Sequence, residues 1–317
     1  MASVVAIDLG GTNIKGARVG QDGAIQARGW RKTVTDQGAS GVLSLIADLI
    51  NELKTPDVAG AAIGSPGVVD PDSGICCSTA FNLPGWDGLE LAKEIRERTG
   101  LPTLADNDAN LAGLGEYWLG AGRGEKLVLI YTIGTGIGGG IVMDGKIFHG
   151  GAFRGVEFGI ISVDADSSSS LGGVKGAVEC FASATAIIAD ARRRLTFNPK
   201  SLMLTLAGGD INKIDAKIVC DADKAGDPDA RFVLDTAMKY LSCAIGTMIN
   251  VMNPTTVIIS GGVAKAGDGI LNRVKNELES GRAYAPILKQ CTIRLGELGD
   301  DAGILGGAKR ALETFVR

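Results

Sequence analysis

The sequence predicts an α/β fold built from two similar lobes. Short apolar runs that favour strands alternate with longer amphipathic stretches that favour helices, and the alternation occurs twice along the chain. With 317 residues the chain exceeds one small core and is long enough for about two domains. Its 47 glycines cluster beside strand-like runs, where we expect the backbone to come close to a ligand.

Two segments share one plan, in which a strand, a glycine-rich tip and a second strand follow one another. Residues 4–19 read VVAIDLGGTNIKGARV and residues 127–148 read LVLIYTIGTGIGGGIVMDGKIF. A third segment, residues 255–278, reads as a strand, a turn and a helix. The repetition of this plan is a further reason for expecting two lobes of the same kind.

The remaining segments supply helices and two further strands. Residues 58–70 read as a buried strand that runs into a Pro-Gly turn, and residues 101–120 read as a strand followed at once by a helix. A stop signal at Asn253-Pro254 ends the last long helix. The predicted helices cover residues 40–53, 88–99, 108–119, 178–195 and 229–252.

Charge, hydropathy and cysteine spacing exclude several classes of protein. The net charge of −4 comes without a block of like charge, so we expect no nucleic-acid partner and no membrane surface. No apolar run approaches the roughly 18 residues that span a bilayer, and the first strand begins at Ser3, so we expect a cytoplasmic protein. The six cysteines show no C-x-x-C spacing and favour reduced thiols over a metal site or a disulfide frame.

Two glycine-rich tips are candidates for phosphate binding. Gly10-Gly11-Thr12 and Gly134-Thr135-Gly136 each offer bare backbone N–H groups and a threonine hydroxyl, which suit phosphate oxygens. The alternative is a plain hairpin with glycine at its tip. Residues 134–139 match the dinucleotide pattern G-x-G-x-x-G, but a strand follows where that site needs a helix, so we exclude it.

Further candidates for the same site are Asp8, Lys15 and the pair Gly261-Gly262. Asp8 ends the first strand just before the first tip, and we expect it to hold Mg²⁺ through water, because a bare carboxylate would repel phosphate. Lys15 could approach the phosphates, and it reads equally well as a solvated strand lysine. Gly261 and Gly262 lie between a strand and a helix, where they either let a flat base lie against the backbone or only tighten a turn.

The segment DNDAN, residues 106–110, is the candidate for the chemistry. It falls at the carboxyl end of a strand, as Asp8 does, where α/β folds bind their ligands. Asp106 can be read as a helix N-cap, but four polar residues in five exceed what one cap needs. A carboxylate here could accept a hydroxyl proton during phosphoryl transfer. His149, the only histidine, has no nucleophile motif or cysteine cluster beside it, and we interpret it as a loop residue.

Taken together, these segments resemble the ROK family of sugar kinases, and within it the bacterial glucokinases most. The resemblance runs from about residue 4 to residue 310. It implies the two-lobed, ribonuclease H-like fold of actin, Hsp70 and hexokinase, with ATP deep in a cleft between the lobes and the sugar near the hinge. We expect residues 1–114 plus 302–317 in the small lobe and residues 115–301 in the large lobe. The segments that carry it are DLGGTNIK, GSPGVVD, FNLPGWDG, DNDANLAGLGEYWLGAGRG, TIGTGIGGGIVMDGKIFHG and ISGGVAKAGD.

The resemblance also implies roles for single residues. Asp108 looks like the base that takes the proton from the sugar 6-hydroxyl, while both glycine-rich tips would hold the ATP phosphates. Gly261 and Gly262 would lie on the adenosine side. The residues that resemble the family's sugar ligands are Gly67, Asn82, Asn107, Glu157 and Glu179.

One segment departs from the family pattern. ROK proteins typically carry E-x-G-H, nine residues, and then C-x-C-G-x-x-G-C-x-E, whose histidine and three cysteines bind a structural zinc ion. Here both glutamates are present, as Glu157 and Glu179, but the four metal positions are Ile160, Ser170, Gly172 and Ala177. We therefore predict no structural zinc. The missing histidine also removes one sugar contact, which makes a broadened choice of sugar more credible.

The implied activity is ATP-dependent phosphorylation of a hexose at its 6-hydroxyl, with glucose as the expected sugar and a homodimer as the expected state. Mannose, N-acetylhexosamine or fructose as substrate, and polyphosphate as donor, are the alternatives. A ROK transcription repressor would need a helix-turn-helix before the strand at Ser3, and we do not expect one. A catalytically silent sugar sensor is supported only by the missing zinc ligands.

Overall fold

The structure, a computed structural model, describes residues 2–78 and 83–316. The chain divides into two compact units. Unit 1 contains Met1–Glu125, Gly140–Val156 and Glu297–Arg317, and unit 2 contains Lys126–Gly139 and Glu157–Gly296.

The described residues form two five-stranded sheets and one short hairpin. The first sheet has the strand order β3-β2-β1-β4-β5, and the second has the order β12-β11-β6-β7-β8. If β8, β7 and β6 are matched with β3, β2 and β1, the two orders are the same, as the repeated sequence plan predicts. The strands are β1 Ser3–Leu9, β2 Asn13–Gly20, β3 Ile25–Lys32, β4 Val58–Ser65, β5 Thr103–Asn107, β6 Leu127–Ile133, β7 Ile137–Met143, β8 Lys146–Ile147, β9 Ser170–Leu171, β10 Val174–Lys175, β11 Thr256–Ser260 and β12 Thr292–Leu295.

Helices fill the intervals between the strands, and all five predicted helical stretches are present. The helices are α1 Gly38–Leu53, α2 Leu91–Thr99, α3 Asp108–Leu119, α4 Glu179–Ala182, α5 Ala184–Phe197, α6 Leu202–Leu206, α7 Ala216–Lys224, α8 Pro228–Met252, α9 Asp268–Glu277, α10 Ala285–Leu288 and α11 Ala302–Phe315. The predicted helix over residues 178–195 is broken at Ser183, whose backbone is extended and whose hydroxyl accepts from the Ala186 N–H to begin α5.

Helix α8 is the one described helix that is long and apolar enough to cross a membrane by length and composition alone. Core helices pass the same test, and 56% of its apolar window is buried inside the protein. Its ends follow ordinary capping chemistry: Asp227 accepts from the Ala230 N–H at the start, and Asn253 adopts the left-handed conformation at the end.

The central strand β1 is covered on both faces, which is why it is apolar from Val4 to Ile7. Val5, Ile7 and Leu9 belong to one hydrophobic cluster with residues of α1 and α2. Val4 and Ala6 belong to a second cluster with residues of α11. Strand alternation therefore places Asp8 on the same face as Val4 and Ala6.

Helices α3 and α11 cross at unusually short range. A Cβ atom on Gly306 would lie 1.7 Å from the Leu111 carbonyl oxygen, and one on Gly115 would lie 2.1 Å from the Ala302 carbonyl oxygen. Only glycine allows the two backbones to approach this closely. The crossing fixes the start of α11 beside the start of α3.

The units differ from the expected lobes at their boundaries. Residues 115–125 and 297–301 belong to unit 1, where the buried Glu116 carboxylate accepts from the backbone N–H groups of Ala121, Glu297 and Leu298 at 2.9, 3.1 and 2.9 Å. Residues 140–156 also belong to unit 1, where His149 contacts Asp106. Long-range polar contacts of this kind leave no signal in the local sequence.

Candidate active site

Two elements of unit 1, β1 and α3, bring polar groups to the carboxyl edge of the first sheet. A Cβ atom on Gly303, in α11, would lie 3.5 Å from the Asp8 carboxylate and 3.9 Å from the Asp108 carbonyl oxygen. One on Gly64, in β4, would lie 3.5 Å from both the Asp108 Cα atom and the Ile7 carbonyl oxygen. The end of β1 and the start of α3 are therefore neighbours, and Asp8 and Asp108 share one small region.

The Asp8 carboxylate has the surroundings of a cation ligand. Burial raises its pKa above the usual range, Lys15 opposes this, and Asp300 adds to it. Lys15 itself pairs with Asp300, with 3.2 Å between Nζ and Oδ2. No described residues form a group of three or more potential metal ligands. One or two carboxylates, with waters and substrate phosphates, are what protein-bound Mg²⁺ commonly uses, so the donor set fits this ion.

The first glycine-rich tip is held by a residue that the sequence did not single out. Thr33 donates from its hydroxyl to the Gly10 carbonyl at 2.7 Å and from its backbone to the Thr12 carbonyl at 2.9 Å. The expectation of a bare N–H at Gly10 is wrong, because this group donates to the Asn13 carbonyl at 3.0 Å. Gly11 and Thr12 are exposed and are the candidates for phosphate contact.

Asn107 serves as the N-cap of α3. Its side-chain oxygen accepts from the Ala109 and Asn110 N–H groups at 2.9 and 3.1 Å, and its amide donates to the Gly67 carbonyl at 3.0 Å. The predicted sugar ligands Asn107 and Gly67 are thus bonded to each other. Asn82, a third predicted ligand, lies outside the described residues.

Asp106 is not the helix cap that the sequence allowed. Its side chain is fully buried, and Oδ1 accepts from the Asn107 N–H at 2.7 Å and from Asn110 Nδ2 at 3.2 Å. Oδ2 lies 2.9 Å from His149 Nε2 and also contacts the Arg310 guanidinium. This fully buried carboxylate is closed to a substrate hydroxyl, whereas Asp108 is half-buried. Of the two aspartates, Asp108 is therefore the better candidate for a base.

The second glycine-rich tip belongs to unit 2 and is tied to the start of α5. The Ala184 N–H donates to the Gly134 carbonyl at 2.8 Å, and the Thr185 hydroxyl donates to the Thr135 carbonyl at 2.7 Å. As in the first tip, the leading glycine uses its own N–H internally, from Gly134 to the Gly136 carbonyl at 2.9 Å. The prediction of a bare N–H at Gly134 is wrong, and Thr135 and Gly136 are the candidates that follow it.

Glu179 lies directly against this tip. Its Oε2 atom accepts from the Ile137 N–H at 2.6 Å. A Cβ atom on Gly136 would lie 2.5 Å from that oxygen, and one on Gly159 would lie 3.0 Å from it and 2.4 Å from the Ile137 carbonyl oxygen, so the backbone leaves no space for a side chain at Gly159. Burial raises the pKa of Glu157, and the nearby charge of Glu179 raises it further. The structure therefore brings the two predicted sugar carboxylates together beside the tip.

Gly261 and Gly262, the glycine pair that follows β11, differ from each other. Gly261 has a φ of +88°, and a Cβ atom there would lie 2.6 Å from the Ile133 backbone nitrogen and oxygen. Gly262 has helical dihedral angles, is exposed and has open space where a side chain would be. Gly261 therefore packs the end of β11 against β6, and Gly262 is the residue of the pair that a ligand can approach.

Backbone pairing closes the segment between Glu157 and Glu179. Strands β9 and β10 form a two-residue hairpin, and Ser162 and Ala177 form an isolated antiparallel bridge. Further bonds join Val163 N to Gly176 O at 2.8 Å, Val178 N to Ile161 O at 2.9 Å and Ser162 Oγ to Lys175 O at 2.8 Å.

The four family metal positions have a different role in this chain. Ala177 is fully buried, and a Cβ atom on Gly172 would lie 3.9 Å from the Ile160 Cγ2 atom. Apolar packing and the short hairpin thus occupy the place that the family pattern gives to zinc ligands. Ser170 is exposed and pairs with Lys175 in the hairpin.

We expect the purified protein to contain no zinc. Elemental analysis after dialysis should give far less than one zinc per chain, and a zinc chelator should leave the melting temperature unchanged. Structural zinc in small domains supplies roughly 10 kcal/mol or more, so loss of a real site would be evident. Stoichiometric zinc together with a chelator-dependent fall in melting temperature would contradict this interpretation of the loop.

Sequence reasoning missed or underrated three functional candidates, which are Thr33, His149 and Arg310. Thr33 lies after a strand that the sequence analysis did not assign, and Arg310 lies in a helix that it did not assign. His149 was assigned to a loop, which is correct, but its partner is 43 positions away. The one available signal was that His149 is the only histidine in the chain.

Comparison with known proteins shows similarity over nearly the whole chain. The sequence pattern of the ROK family matches residues 4–313. A glucokinase of Halalkalibacterium halodurans is 36% identical over 96% of this chain and 93% of its own length, and a glucokinase of Thermotoga maritima is 35% identical over 96% of each chain. Among solved structures, a ROK family glucokinase from Streptomyces griseus in complex with glucose and AMPPNP has a TM-score of 0.88 at 28% identity. It covers 98% of this chain and 100% of its own.

Proposed function

The chain belongs to the ROK family, and from that premise we propose that it is a sugar kinase that transfers the γ-phosphoryl group of ATP to the 6-hydroxyl of glucose. The observation that carries the proposal is the placement of Asp8 and Asp108 in one region at the carboxyl edge of the first sheet. Glucokinase relatives of 35% and 36% identity support glucose as the sugar.

Asp108 is the proposed general base. As the oxygen of the sugar 6-hydroxyl forms its bond to the γ-phosphorus, the bond from that phosphorus to the β,γ-bridging oxygen breaks and ADP leaves. The hydroxyl proton passes to the Asp108 carboxylate, which is half-buried and begins α3. Asp106 cannot share this role, because its two oxygens already accept from four donors.

Phosphate binding is assigned to Gly11 and Thr12 in the first tip and to Thr135 and Gly136 in the second. Gly11, Thr12 and Thr135 are exposed and Gly136 is half-buried, and each tip combines backbone N–H groups with a threonine hydroxyl. Mg²⁺, when bound, neutralises charge on the phosphoryl oxygens, and Asp8 is the residue that would hold it. Lys15 approaches this region while paired with Asp300. Gly262 is the proposed contact on the adenosine side.

Asn107 and Gly67 are the sugar ligands proposed for unit 1. Glu157 and Glu179 are the sugar ligands proposed for unit 2. Glu179 is the more constrained carboxylate, since its Oε2 atom is fixed by the Ile137 N–H. Ile160 stands at the position of the family histidine and cannot donate or accept a side-chain hydrogen bond. This specific loss favours a second candidate function, a kinase that also accepts mannose.

The test is a kinase assay over a panel of sugars. Glucose, mannose, fructose and N-acetylhexosamines are each offered with ATP and, separately, with polyphosphate, with and without Mg²⁺. We expect Mg²⁺-dependent ADP release that is fastest with glucose, together with measurable turnover of mannose. Absence of turnover with every hexose and both donors would overturn the proposal and favour a sugar-binding protein without activity.

The pH dependence of glucose binding tests the role of Glu157. Because its pKa is raised, its carboxylate takes up a proton at a higher pH than an ordinary glutamate does. An ionised Glu157 accepts sugar hydrogen bonds, so this contribution is present above the raised pKa and is lost as the pH falls through it. We expect KM for glucose to rise in that acidic window while KM for ATP stays constant.

The matched variant for this prediction is Glu157→Gln. Hydrogen bonds to a charged group contribute about 1.5–3 kcal/mol, so KM for glucose should rise roughly 10- to 100-fold at neutral pH. The rise in KM for glucose at acidic pH should also disappear in this variant, because the titrating group has been removed. An unchanged pH profile in this variant would assign the titration to another group.

A further inference from the structure

The cluster around Asp106 is more elaborate than the fold of unit 1 requires. One buried carboxylate accepts from a backbone N–H, an asparagine amide, a histidine ring and a guanidinium. Arg310 reaches it from α11, and His149 reaches it from the segment that follows β8. Buried ion pairs contribute little net stability after their desolvation cost, so stability alone is a weak explanation for such a cluster.

The two oxygens of Asp106 face different partners. Oδ1 accepts from Asn107, the N-cap residue of α3, and from Asn110, three positions further on. These two residues flank Asp108 in the sequence. Oδ2 is held by His149 and Arg310. The His149 and Arg310 side chains therefore fix one end of the carboxylate, while its other end holds the Asn107 backbone and the Asn110 side chain, one on each side of Asp108.

We infer that Asp106, held by Arg310 and His149, is a positioning residue for phosphoryl transfer. Its role is to fix the first turn of α3 so that Asp108 stays in place to accept the sugar proton. This inference rests on the proposed function and adds three residues to which the resemblance gave no role. Misplacement of a reacting group by about 1 Å can cost on the order of 100-fold in rate, so such an anchor has a kinetic consequence.

Arg310 and His149 are half-buried, so both positions can be substituted beside solvent. Both line a cavity of about 260 Å³ with residues such as Leu114 and Thr314, so a changed side chain has space beside it. Arg310 also donates from Nη2 to the Pro71 carbonyl at 2.8 Å. A lysine retains the charge but lacks the planar pair of donors, while a methionine removes both.

The experiment compares Arg310→Met, Arg310→Lys, His149→Leu and His149→Gln in the full chain, with glucose and ATP. We expect Arg310→Met to lower kcat roughly 10- to 100-fold and His149→Leu to lower it on the order of 10-fold, with KM for both substrates within about threefold of wild type. Arg310→Lys and His149→Gln, which keep a donor towards Asp106, should recover most of the loss. The matched control is Arg194→Met in unit 2, where Arg194 pairs with Asp229 at 3.1 Å and should matter only for stability.

A double variant separates positioning from a general structural role. If Arg310 acts through Asp108, adding Arg310→Met to Asp108→Asn should change the residual kcat by less than about threefold, because effects that share one route are not additive. If the two single losses in kcat multiply in full in the double variant, the inference is overturned. A wild-type kcat in both Arg310→Met and His149→Leu would overturn it as well. Should Arg310→Met fail to fold, the pair His149→Leu and His149→Gln decides the outcome alone. Lack of hexokinase activity in the wild-type protein would instead refute the proposed function.

Discussion

Asp108→Asn is expected to abolish nearly all sugar phosphorylation while leaving the fold and both substrate sites intact. A positioned general base contributes about 10²- to 10⁴-fold to such a reaction, and kcat should fall by that factor. Asparagine has almost the same shape and keeps an oxygen that can accept from the Ala109 N–H, as Asp108 Oδ1 does at 2.8 Å. It cannot take up the hydroxyl proton.

Calorimetry and steady-state kinetics check this prediction together. Glucose should bind Asp108→Asn with nearly wild-type affinity, and the melting temperature should stay within a few degrees. Asp215→Asn is the matched control, since Asp215 caps α7 by accepting from the Ile218 N–H at 2.7 Å and asparagine caps equally well. A kcat in Asp108→Asn within twofold of wild type would remove Asp108 from its assigned role.

Gly306→Ala should cause the largest loss of stability among single-methyl substitutions at the crossing of α3 and α11. The added Cβ atom would lie 1.7 Å from the Leu111 carbonyl oxygen and 2.8 Å from the Gly115 nitrogen. Because both obstacles are backbone atoms, the helices must move apart. We expect a loss of about 3 kcal/mol, at the upper end of the usual cost of overpacking.

The neighbouring residue provides the control for this prediction. A Cβ atom on Gly307 would meet Ala62 Cβ at 3.4 Å and Ala6 Cβ at 3.5 Å, which is ordinary packing distance. Gly307→Ala should therefore be neutral or should stabilise the helix by up to about 1 kcal/mol, as alanine does in place of helical glycine. Equal denaturation midpoints for the two variants would contradict the close crossing. Gly306→Ala should also reduce activity, because α11 carries both Gly303 and Arg310.

Local sequence predicted part of the elements and the edge at which the candidate site lies. Apolar runs predicted the strands β1, β2, β4, β5, β6, β7 and β11, and the glycine tips marked the hairpins after Asp8 and Ile133. These features depend on neighbouring residues alone, so they can be read from a short window. The same holds for Asn253, whose position before a proline marked the end of α8.

Features that depend on distant partners could not be predicted in this way. The sequence allowed Asp106 to be a cap, but Asn107 is the cap, and the partners of Asp106 come from positions 149 and 310. Nothing near Glu116 in the sequence indicates that its carboxylate accepts from the backbone N–H groups of residues 297 and 298 in unit 1. The sequence does not show which glycine of α11 faces the backbone of α3, because that depends on how the two helices pack.

For the replaced zinc ligands, the sequence shows which residues stand at the metal positions, and the structure shows what closes the loop. The sequence shows that the metal positions hold Ile160, Ser170, Gly172 and Ala177. Only the structure shows that a two-residue hairpin and an isolated bridge close the loop in their place. The positions of Glu157 and Glu179 are thereby explained without a metal.

The central claim is phosphoryl transfer from ATP to the 6-hydroxyl of glucose. Its most direct test is a ³¹P and ¹³C NMR analysis of the product formed by the purified protein from ATP, Mg²⁺ and glucose labelled with ¹³C at carbon 6. We predict glucose 6-phosphate in amounts equal to the ADP released, seen as phosphorus coupling at the labelled carbon. ADP release that yields only inorganic phosphate, or phosphate on any other hydroxyl, would contradict the claim.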